Sequence, residues 1–182
     1  MSNWTIDTQH TQVEFVVRHM MISKVRGQFK SFEGNISINP DDITQSSAVG
    51  SIDVASIDTR EADRDAHLRS ADFFDVENYP KMTFESTRIE PQGGDRYKVT
   101  GNLTIKDVTR EIVFDVTDEG RGQDPWGNQR QGLSASAKIN RKDFGLTWNV
   151  ALETGGWLVG DQITINAEVQ LIYQPQAEAV PA

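Results

Sequence analysis

Apolar and polar residues alternate with a period of two through much of this sequence, and this alternation constrains its fold more than any other feature. Across residues 162–173 every odd position is apolar, and every even position except Ile172 is polar. The same period recurs in residues 12–19, 97–106 and 109–117. Because a strand points successive side chains to opposite faces, each of these segments predicts a half-buried β-strand.

Several further strands follow from weaker versions of the same pattern. They are expected at residues 3–8, 25–39, 48–57, 81–89 and 133–140. Short turns join most of them, with residues 40–47 and 119–131 as longer polar loops. Many antiparallel strands with one apolar face are typical of a barrel or a sandwich. Closure leaves no exposed strand edge, so we favour an all-β fold, an extended eight-stranded antiparallel β-barrel.

Length, charge and composition narrow the class of protein. The 182 residues suit one domain, which we place at residues 1–173, followed by a disordered tail at 174–182 that contains two prolines. The chain has no cysteine and a net charge of −9, so disulfides are excluded and nucleic acid is an unsuitable partner. The N-terminus shows no signal-peptide pattern, and no apolar run is long enough to span a membrane. We therefore expect a cytoplasmic protein, or a periplasmic one if a signal peptide has been removed.

A charged segment at residues 60–80 interrupts the alternation. Its pattern is helical or irregular, and its charges lead directly into Phe73 and Phe74. Such a segment between strands predicts a lid over the barrel. The segment also carries three arginines, Arg60, Arg64 and Arg69. These would neutralise neighbouring carboxylates, so we favour a structural ion-pair network that holds the lid in place.

Asp63, Asp65 and His67 in this segment keep an alternative function open. If the segment is helical, Asp63 and His67 share a face and could bind a metal ion or act as an acid–base pair. The protein would then be a metal-assisted hydrolase or isomerase acting on a lipid or an amide. Catalytic zinc normally has three protein ligands, and the chain contains no nucleophile elbow, P-loop or Rossmann motif. We therefore expect neither an enzyme nor a cofactor.

Small residues on the inferred inward faces bear on whether the barrel is hollow. They are Gly34, Gly101, Ala135, Ala137 and Ala167. Protein interiors are otherwise close-packed, so small inward residues on several strands favour a cavity. The alternative, that they only fit the taper of a filled barrel, stays open. The inward faces carry almost no charge, so an occupant would be apolar and, given the long strands, elongated.

A set of short motifs runs from Trp4 to about Tyr173. The most telling are Ser56-Ile57-Asp58-Thr59, Arg64-Asp65-x-His67-Leu68, Asp72-Phe73-Phe74-Asp75, Tyr79-Pro80 and Arg141-x-Asp143-Phe144-Gly145. Together they resemble the YceI-like family of bacterial lipocalin-like barrels. The resemblance implies a lumen that binds a long isoprenoid, such as a polyprenyl phosphate or an isoprenoid quinone. It also makes a homodimer an expectation, and it supplies no catalytic residue.

We therefore expect a lipid-binding barrel that transports or stores its ligand. Phe73 and Phe74 would close the lumen, and His19, which continues an inward apolar face, would meet the polar headgroup. The candidate ligand-binding residues are Phe15, Val17, His19, Phe29, Ile36, Phe73, Phe74, Phe84, Val99, Leu103, Ile105, Phe114, Ile165 and Val169.

Overall fold

A computed structural model of the protein describes residues 1–175, which contain eleven β-strands, one α-helix and three short 3₁₀ helices. The strands are β1 (Ser2–Ile6), β2 (Gln12–His19), β3 (Ser23–Phe29), β4 (Phe32–Ile38), β5 (Ser47–Asp53), β6 (Ile57–Asp58), β7 (Lys81–Pro91), β8 (Arg96–Ile105), β9 (Val108–Gln123), β10 (Gln129–Asn140) and β11 (Val159–Gln174). The helix, α1, spans Ala62–Arg69, and the 3₁₀ helices are Ile43–Gln45, Val54–Ser56 and Arg141–Phe144. In this part of the chain no helix has the length and apolar character needed to cross a membrane.

Eight of the strands form a closed antiparallel ring, in the order β1-β4-β5-β7-β8-β9-β10-β11. The ring closes because β1 pairs with β4 on one side and with β11 on the other. The remaining strands lengthen the wall, since β2 pairs with the first part of β11, β3 with β2, and β6 with β3. The prediction of an eight-stranded antiparallel barrel with one short helical segment is confirmed.

The two ends of the barrel differ in what covers them. The α1 end carries helix α1, the β2–β3 turn and residues 141–158, and the far end carries the β7–β8 and β9–β10 turns. A buried cluster at the α1 end includes Val54, Ile57 and Phe144. A smaller cluster at the far end is built on Trp4 and Leu171. The interior between these two clusters is the part of the fold where a site can lie.

Several boundaries differ from the sequence prediction. Residues 25–39 form two strands because the chain breaks at Lys30 and Ser31, whose amides both donate to Oγ of Ser56 at 3.1 and 3.0 Å. The predicted loop 119–131 is wrong, since β9 and β10 continue through it and leave only a five-residue turn. Gln174 is still paired in β11, and residues 176–182 of the predicted tail lie outside the described residues.

The predicted ion-pair network in residues 60–80 is also corrected. Arg64 donates to the side-chain and backbone oxygens of Thr59, both at 2.7 Å. Arg69 donates to the carbonyls of Ala55 and Ile57 at 2.9 and 3.0 Å. The ion pair that forms within these residues joins His67 and Asp72. Arg64 and Arg69 therefore hold this segment by donating to neutral oxygens, which a sequence pattern does not display.

Large side chains from neighbouring strands pack directly over three inward glycines. The ring of Phe15 lies over Gly27, that of Phe84 lies over Gly101, and Ile6 lies over Gly34. A Cβ added to Gly101 would be 2.4 Å from Cζ of Phe84 and 2.5 Å from the carbonyl oxygen of Glu85. These glycines therefore serve packing and leave no empty volume, contrary to the expectation for Gly34 and Gly101.

This packing predicts that Gly101→Ala destabilises the barrel. Overpacking of a well-filled site costs about 1–3 kcal/mol, so the free energy of unfolding in urea should fall by that amount. Gly122→Ala on β9 is the matched control, because an added Cβ there meets nothing within 4 Å. The control should leave stability unchanged or slightly raised. Equal urea midpoints for the two variants would contradict the packing account.

A candidate binding cavity inside the barrel

The interior of the barrel is hollow and encloses a cavity of about 630 Å³. Its walls are predominantly apolar, and Ala135 and Ala167, which are paired across β10 and β11, line it with small side chains. Along β8 the lining runs from Tyr97 to Ile105, a distance of roughly 26 Å at about 3.3 Å per residue. The cavity is therefore elongated along the barrel, as expected, although residues 25–39, the long strand behind that expectation, form two strands.

Thirteen of the fourteen side chains predicted from the sequence line this cavity. They are Phe15, Val17, Phe29, Ile36, Phe73, Phe74, Phe84, Val99, Leu103, Ile105, Phe114, Ile165 and Val169. His19 is not brought together with them. It ends β2 opposite Ser23 and Val159, and its carbonyl accepts hydrogen bonds from the turn that follows. The alternation of β2 predicted an inward His19, but His19 is the last residue of the strand, where the alternation no longer determines the direction of the side chain.

Aromatic rings close the cavity at the α1 end. Phe74 meets Phe29 edge-on, with ring centroids 6.2 Å apart. Phe73 packs against Trp148 at 5.3 Å and His67 at 5.1 Å. His67 is therefore part of this aromatic closure, where edge-to-face contacts add stability beyond the area they bury.

Arg141 is a buried cation at the same end. Nε donates to the carbonyl of Gly160 at 2.8 Å, and Nη1 donates to those of Leu146 and Trp148 at 2.6 and 3.0 Å. Burial lowers the pKa of Arg141, and the nearby Asp161 carboxylate opposes that effect. Since its donors are used by backbone carbonyls, Arg141 fastens residues 146–160 to the barrel and has little left to offer a ligand.

At the far end the cavity is polar. Asp118, Arg121 and Gln131, here called the polar cluster, all line it. Nε of Arg121 donates to Oε1 of Gln131 at 3.1 Å, and Nε2 of Gln131 donates to Oδ2 of Asp118 at 2.9 Å. Gln131 is only 4% exposed. A buried, hydrogen-bonded polar group at the end of an apolar cavity is suited to orienting a ligand.

The polar cluster was not predicted from the sequence, because the polar residues 119–131 were interpreted as a loop. A signal was present, since the inward phase of Leu133 and Ala135 extends back to Gln131. On β9 the phase is lost at a bulge opposite Gly132 and Leu133, where the register shifts. Alternation alone therefore could not place Arg121 on the inner face.

Trp4 lies beside the polar cluster and has an unsatisfied hydrogen-bond donor. Its indole is 4% exposed, and Nε1 has no acceptor among residues 1–175. The guanidinium of Arg121 stands 5.3 Å from the Trp4 ring centroid, and Tyr173 packs on the ring at the same distance. An unpaired buried donor costs about 1–3 kcal/mol. This donor lies behind the wall of the cavity, because Trp4 is not among the residues that line it.

An ion triad fixes the β9–β10 turn beside this cluster. Arg130 pairs with Asp7 at 2.5 Å and with Asp124 at 2.7 Å. Burial raises the pKa of Asp124, but hydrogen bonds from Asn128, Arg130 and the Trp126 amide outweigh it and hold the pKa well below its usual range. The triad joins the turn after β1 to the start of β10, and so supports the strands that carry Arg121 and Gln131.

The depressed pKa of Asp124 predicts a pH dependence of stability. A carboxyl whose folded pKa lies below its unfolded value of about 3.9 stabilises the fold fully above that value, and loses the contribution as the pH falls towards the folded pKa. Asp124→Asn should therefore reduce the loss of stability between pH 5 and pH 2.5, measured as urea midpoints. Asp95→Asn, in the β7–β8 turn, is the control and should keep the wild-type slope. A wild-type slope in Asp124→Asn would contradict this assignment.

The three residues of the alternative metal site do not converge. Oδ1 of Asp65 accepts from the Thr59 amide at 2.9 Å and from its hydroxyl at 2.5 Å. His67 is hydrogen-bonded to Asp72 at 2.9 Å, and Asp63 is exposed. Within residues 1–175 no group of three histidine, cysteine, aspartate or glutamate side chains is arranged to hold a metal ion. The geometry therefore assigns Asp65 to the anchoring of α1.

This assignment predicts that Asp65→Ala lowers the free energy of unfolding by about 2–3 kcal/mol, because it removes two buried hydrogen bonds to a charged acceptor. Asp63→Ala, two residues away and exposed, should cost less than about 1 kcal/mol, mainly through the helix dipole. Urea unfolding measures both. Stoichiometric bound metal that is lost in Asp65→Ala without a change in stability would contradict the structural role.

Comparison with known proteins gives consistent similarities. A family model for the YceI-like domain matches residues 4–171. A UPF0312 protein of Vibrio cholerae is 40% identical over 147 residues, which cover 80% of this chain and 78% of that relative. The crystal structure of BcnA from Burkholderia cenocepacia has a TM-score of 0.78 at 30% identity, covering 91% of this chain and 98% of BcnA. A polyisoprenoid binding domain from Saccharophagus degradans shares the fold, with a TM-score of 0.69 at 13% identity and coverage of 94% and 98%.

Proposed function

The chain belongs to the YceI-like family, as its motifs predicted, and from this premise we propose that its cavity binds a long-chain isoprenoid lipid for transport or storage. The observation that carries the proposal is the elongated apolar cavity inside a closed barrel. The Saccharophagus degradans domain, described as polyisoprenoid-binding, has the same fold and supports this class of ligand.

Burial of apolar surface would supply most of the affinity. Aromatic and aliphatic side chains line the cavity between its ends, among them Phe15, Phe84, Leu103 and Phe114. Each Å² of apolar ligand surface removed from water contributes about 25 cal/mol. A branched hydrocarbon chain offers such surface along its whole length, whereas a compact ligand would leave much of the elongated cavity unused.

The polar cluster is the proposed place for the headgroup. Arg121 balances the charge of Asp118, with Gln131 between them, so the cluster has no net charge. Its remaining donors, on the Arg121 guanidinium, face the cavity and suit a carbonyl oxygen. A phosphate would place a full negative charge near Asp118, while the neighbouring Arg130 is already paired with Asp7 and Asp124. That repulsion is costly in a partly buried site. Of the two headgroups considered, the neutral isoprenoid quinone is therefore the better fit.

The lumen assignment predicts that Ala135→Phe abolishes lipid binding. A phenyl ring at this position fills part of the cavity, so the lipid recovered by organic extraction, or retained in native mass spectrometry, should fall more than about tenfold. Ser136→Phe is the matched control, because the next residue of β10 is exposed on the outer face. It should bind as the wild type does.

Two results would contradict the proposal. One is a wild-type protein from which no isoprenoid is recovered and to which none binds when it is added. The other is equal lipid binding by Ala135→Phe and Ser136→Phe at matched thermal stability, since the ligand would then lie outside the lumen.

The headgroup assignment is tested with two lipids of equal chain length, an isoprenoid quinone and a polyprenyl monophosphate. Titration should show tighter binding of the quinone. Gln131→Leu should weaken quinone binding by about fivefold to tenfold, because it removes the acceptor that orients the Arg121 guanidinium toward the headgroup. Tighter binding of the phosphate, or an unchanged quinone affinity in Gln131→Leu, would overturn this part of the proposal without affecting the lumen assignment.

A further inference from the structure

An exposed apolar surface, here called the apolar tip, projects from the α1 end of the barrel. It consists of Met20, Met21, Ile22, Val150 and Trp157. These are five of the nine large hydrophobic residues that are exposed among residues 1–175. Ile22 is 82% exposed and Trp157 is 54% exposed. Single exposed apolar residues are ordinary, but a group of five at one end of a protein marks an interaction surface.

The two segments of the apolar tip are held against each other. The amide of Met20 donates to the carbonyl of Leu158 at 2.7 Å. Met21 lies over Gly156 so closely that a Cβ on that glycine would meet its sulfur. The β2–β3 turn and residues 150–157 therefore form one surface.

Two methionines at the tip adopt a strained backbone conformation although their side chains are exposed. Met20 and Met21 have φ values of +53° and +62°, in the left-handed region that glycine and asparagine normally occupy in such turns. This conformation raises the free energy of a non-glycine residue, and strain of this kind is typical of functional positions. Asparagine or glycine would relieve the strain, so the methionines retain apolar side chains at a cost in stability.

Basic residues lie on the hairpin beside the tip, while residues 150–157 contribute one exposed acidic residue, Glu153. Residues 15–32 contain Arg18, Lys24, Arg26 and Lys30 and no acidic residue, in a chain whose net charge is −9. Lys30 is paired with Asp58, whereas the other three form no ion pair in the part of the chain that the structure describes. All three are exposed on the β2–β3 hairpin. The β2–β3 hairpin therefore carries apolar side chains at its turn and unpaired positive charges on the strands behind it.

We propose that the apolar tip docks this protein on the surface of an anionic lipid bilayer. Met21, Ile22 and Trp157 enter the interfacial region, where tryptophan and exposed aliphatic residues are favoured. Arg18, Lys24 and Arg26 contact the anionic headgroups, each contributing electrostatic attraction near the surface. A second copy of this chain fits the surface less well, because a twofold contact would bring two basic hairpins together.

Docking in this way orients the cavity. His19, at the base of the tip, is paired with Val159, which lines the cavity. The α1 end of the cavity therefore faces the bilayer, and the polar cluster faces away from it. The docking proposal does not depend on the identity of the cavity ligand, so the vesicles that test it need contain no isoprenoid.

The test measures partitioning of the intact protein onto vesicles by flotation. Vesicles of equal parts phosphatidylglycerol and phosphatidylcholine should bind the protein at least about tenfold more tightly than pure phosphatidylcholine, and added salt should weaken the binding. Ile22→Ser should weaken it about tenfold through lost apolar insertion. Lys24→Gln combined with Arg26→Gln should weaken it about 25-fold, at roughly fivefold for each charge.

Two exposed residues away from the tip supply the controls. Val113→Ser on β9 removes an exposed β-branched apolar side chain, and Lys98→Gln on β8 removes one exposed positive charge; both should leave partitioning unchanged. The proposal is overturned if the anionic vesicles bind no protein, if phosphatidylcholine binds it equally well, or if Ile22→Ser matches Val113→Ser. A dimer that Ile22→Ser converts to a monomer in light scattering, without vesicle binding, would overturn it in favour of a second copy.

Discussion

β1 is a five-residue strand that pairs with β11 on one side and β4 on the other, and this double pairing closes the sheet. The eight-stranded ring has no edge, so its strands find their backbone partners within it. Outside the ring, β6 pairs only with β3, over two residues. With eight strands the interior is just wide enough either to be filled by side chains or to hold one ligand. The size and polarity of the inward side chains therefore decide what this protein can do.

Those side chains are distributed unevenly along the barrel. Toward the α1 end, rings from one strand lie over glycines of the next, as Phe15 does over Gly27, and aromatic contacts around Phe73 complete the closure. Ala135 and Ala167 face the lumen without such a filling neighbour. At the far end the polar cluster replaces apolar residues. The inward side chains thus give the barrel a packed α1 end, an apolar cavity in the middle and a polar far end.

Most of the fold was predictable from the sequence, because alternation is a local property that survives folding. It located the strands and placed residues such as Phe114 and Ile165 at the cavity. It failed where the determining interaction is not local. The bulge near Gly132 shifts the alternation, so the inward position of Arg121 could not be predicted. The role of Gly101 depends on the ring of Phe84, which comes from another strand. The carbonyl partners of Arg64 and Arg69 likewise have no signature in sequence.

The central claim is that an isoprenoid lies inside the barrel with its headgroup at the polar cluster. The most direct test is a crystal structure of the protein loaded with an isoprenoid quinone. We expect continuous ligand density along Phe15, Phe114 and Val169, with a quinone oxygen within hydrogen-bond distance of Arg121. Ligand bound only on the outer surface, or a headgroup at the α1 end beside Arg141, would contradict it.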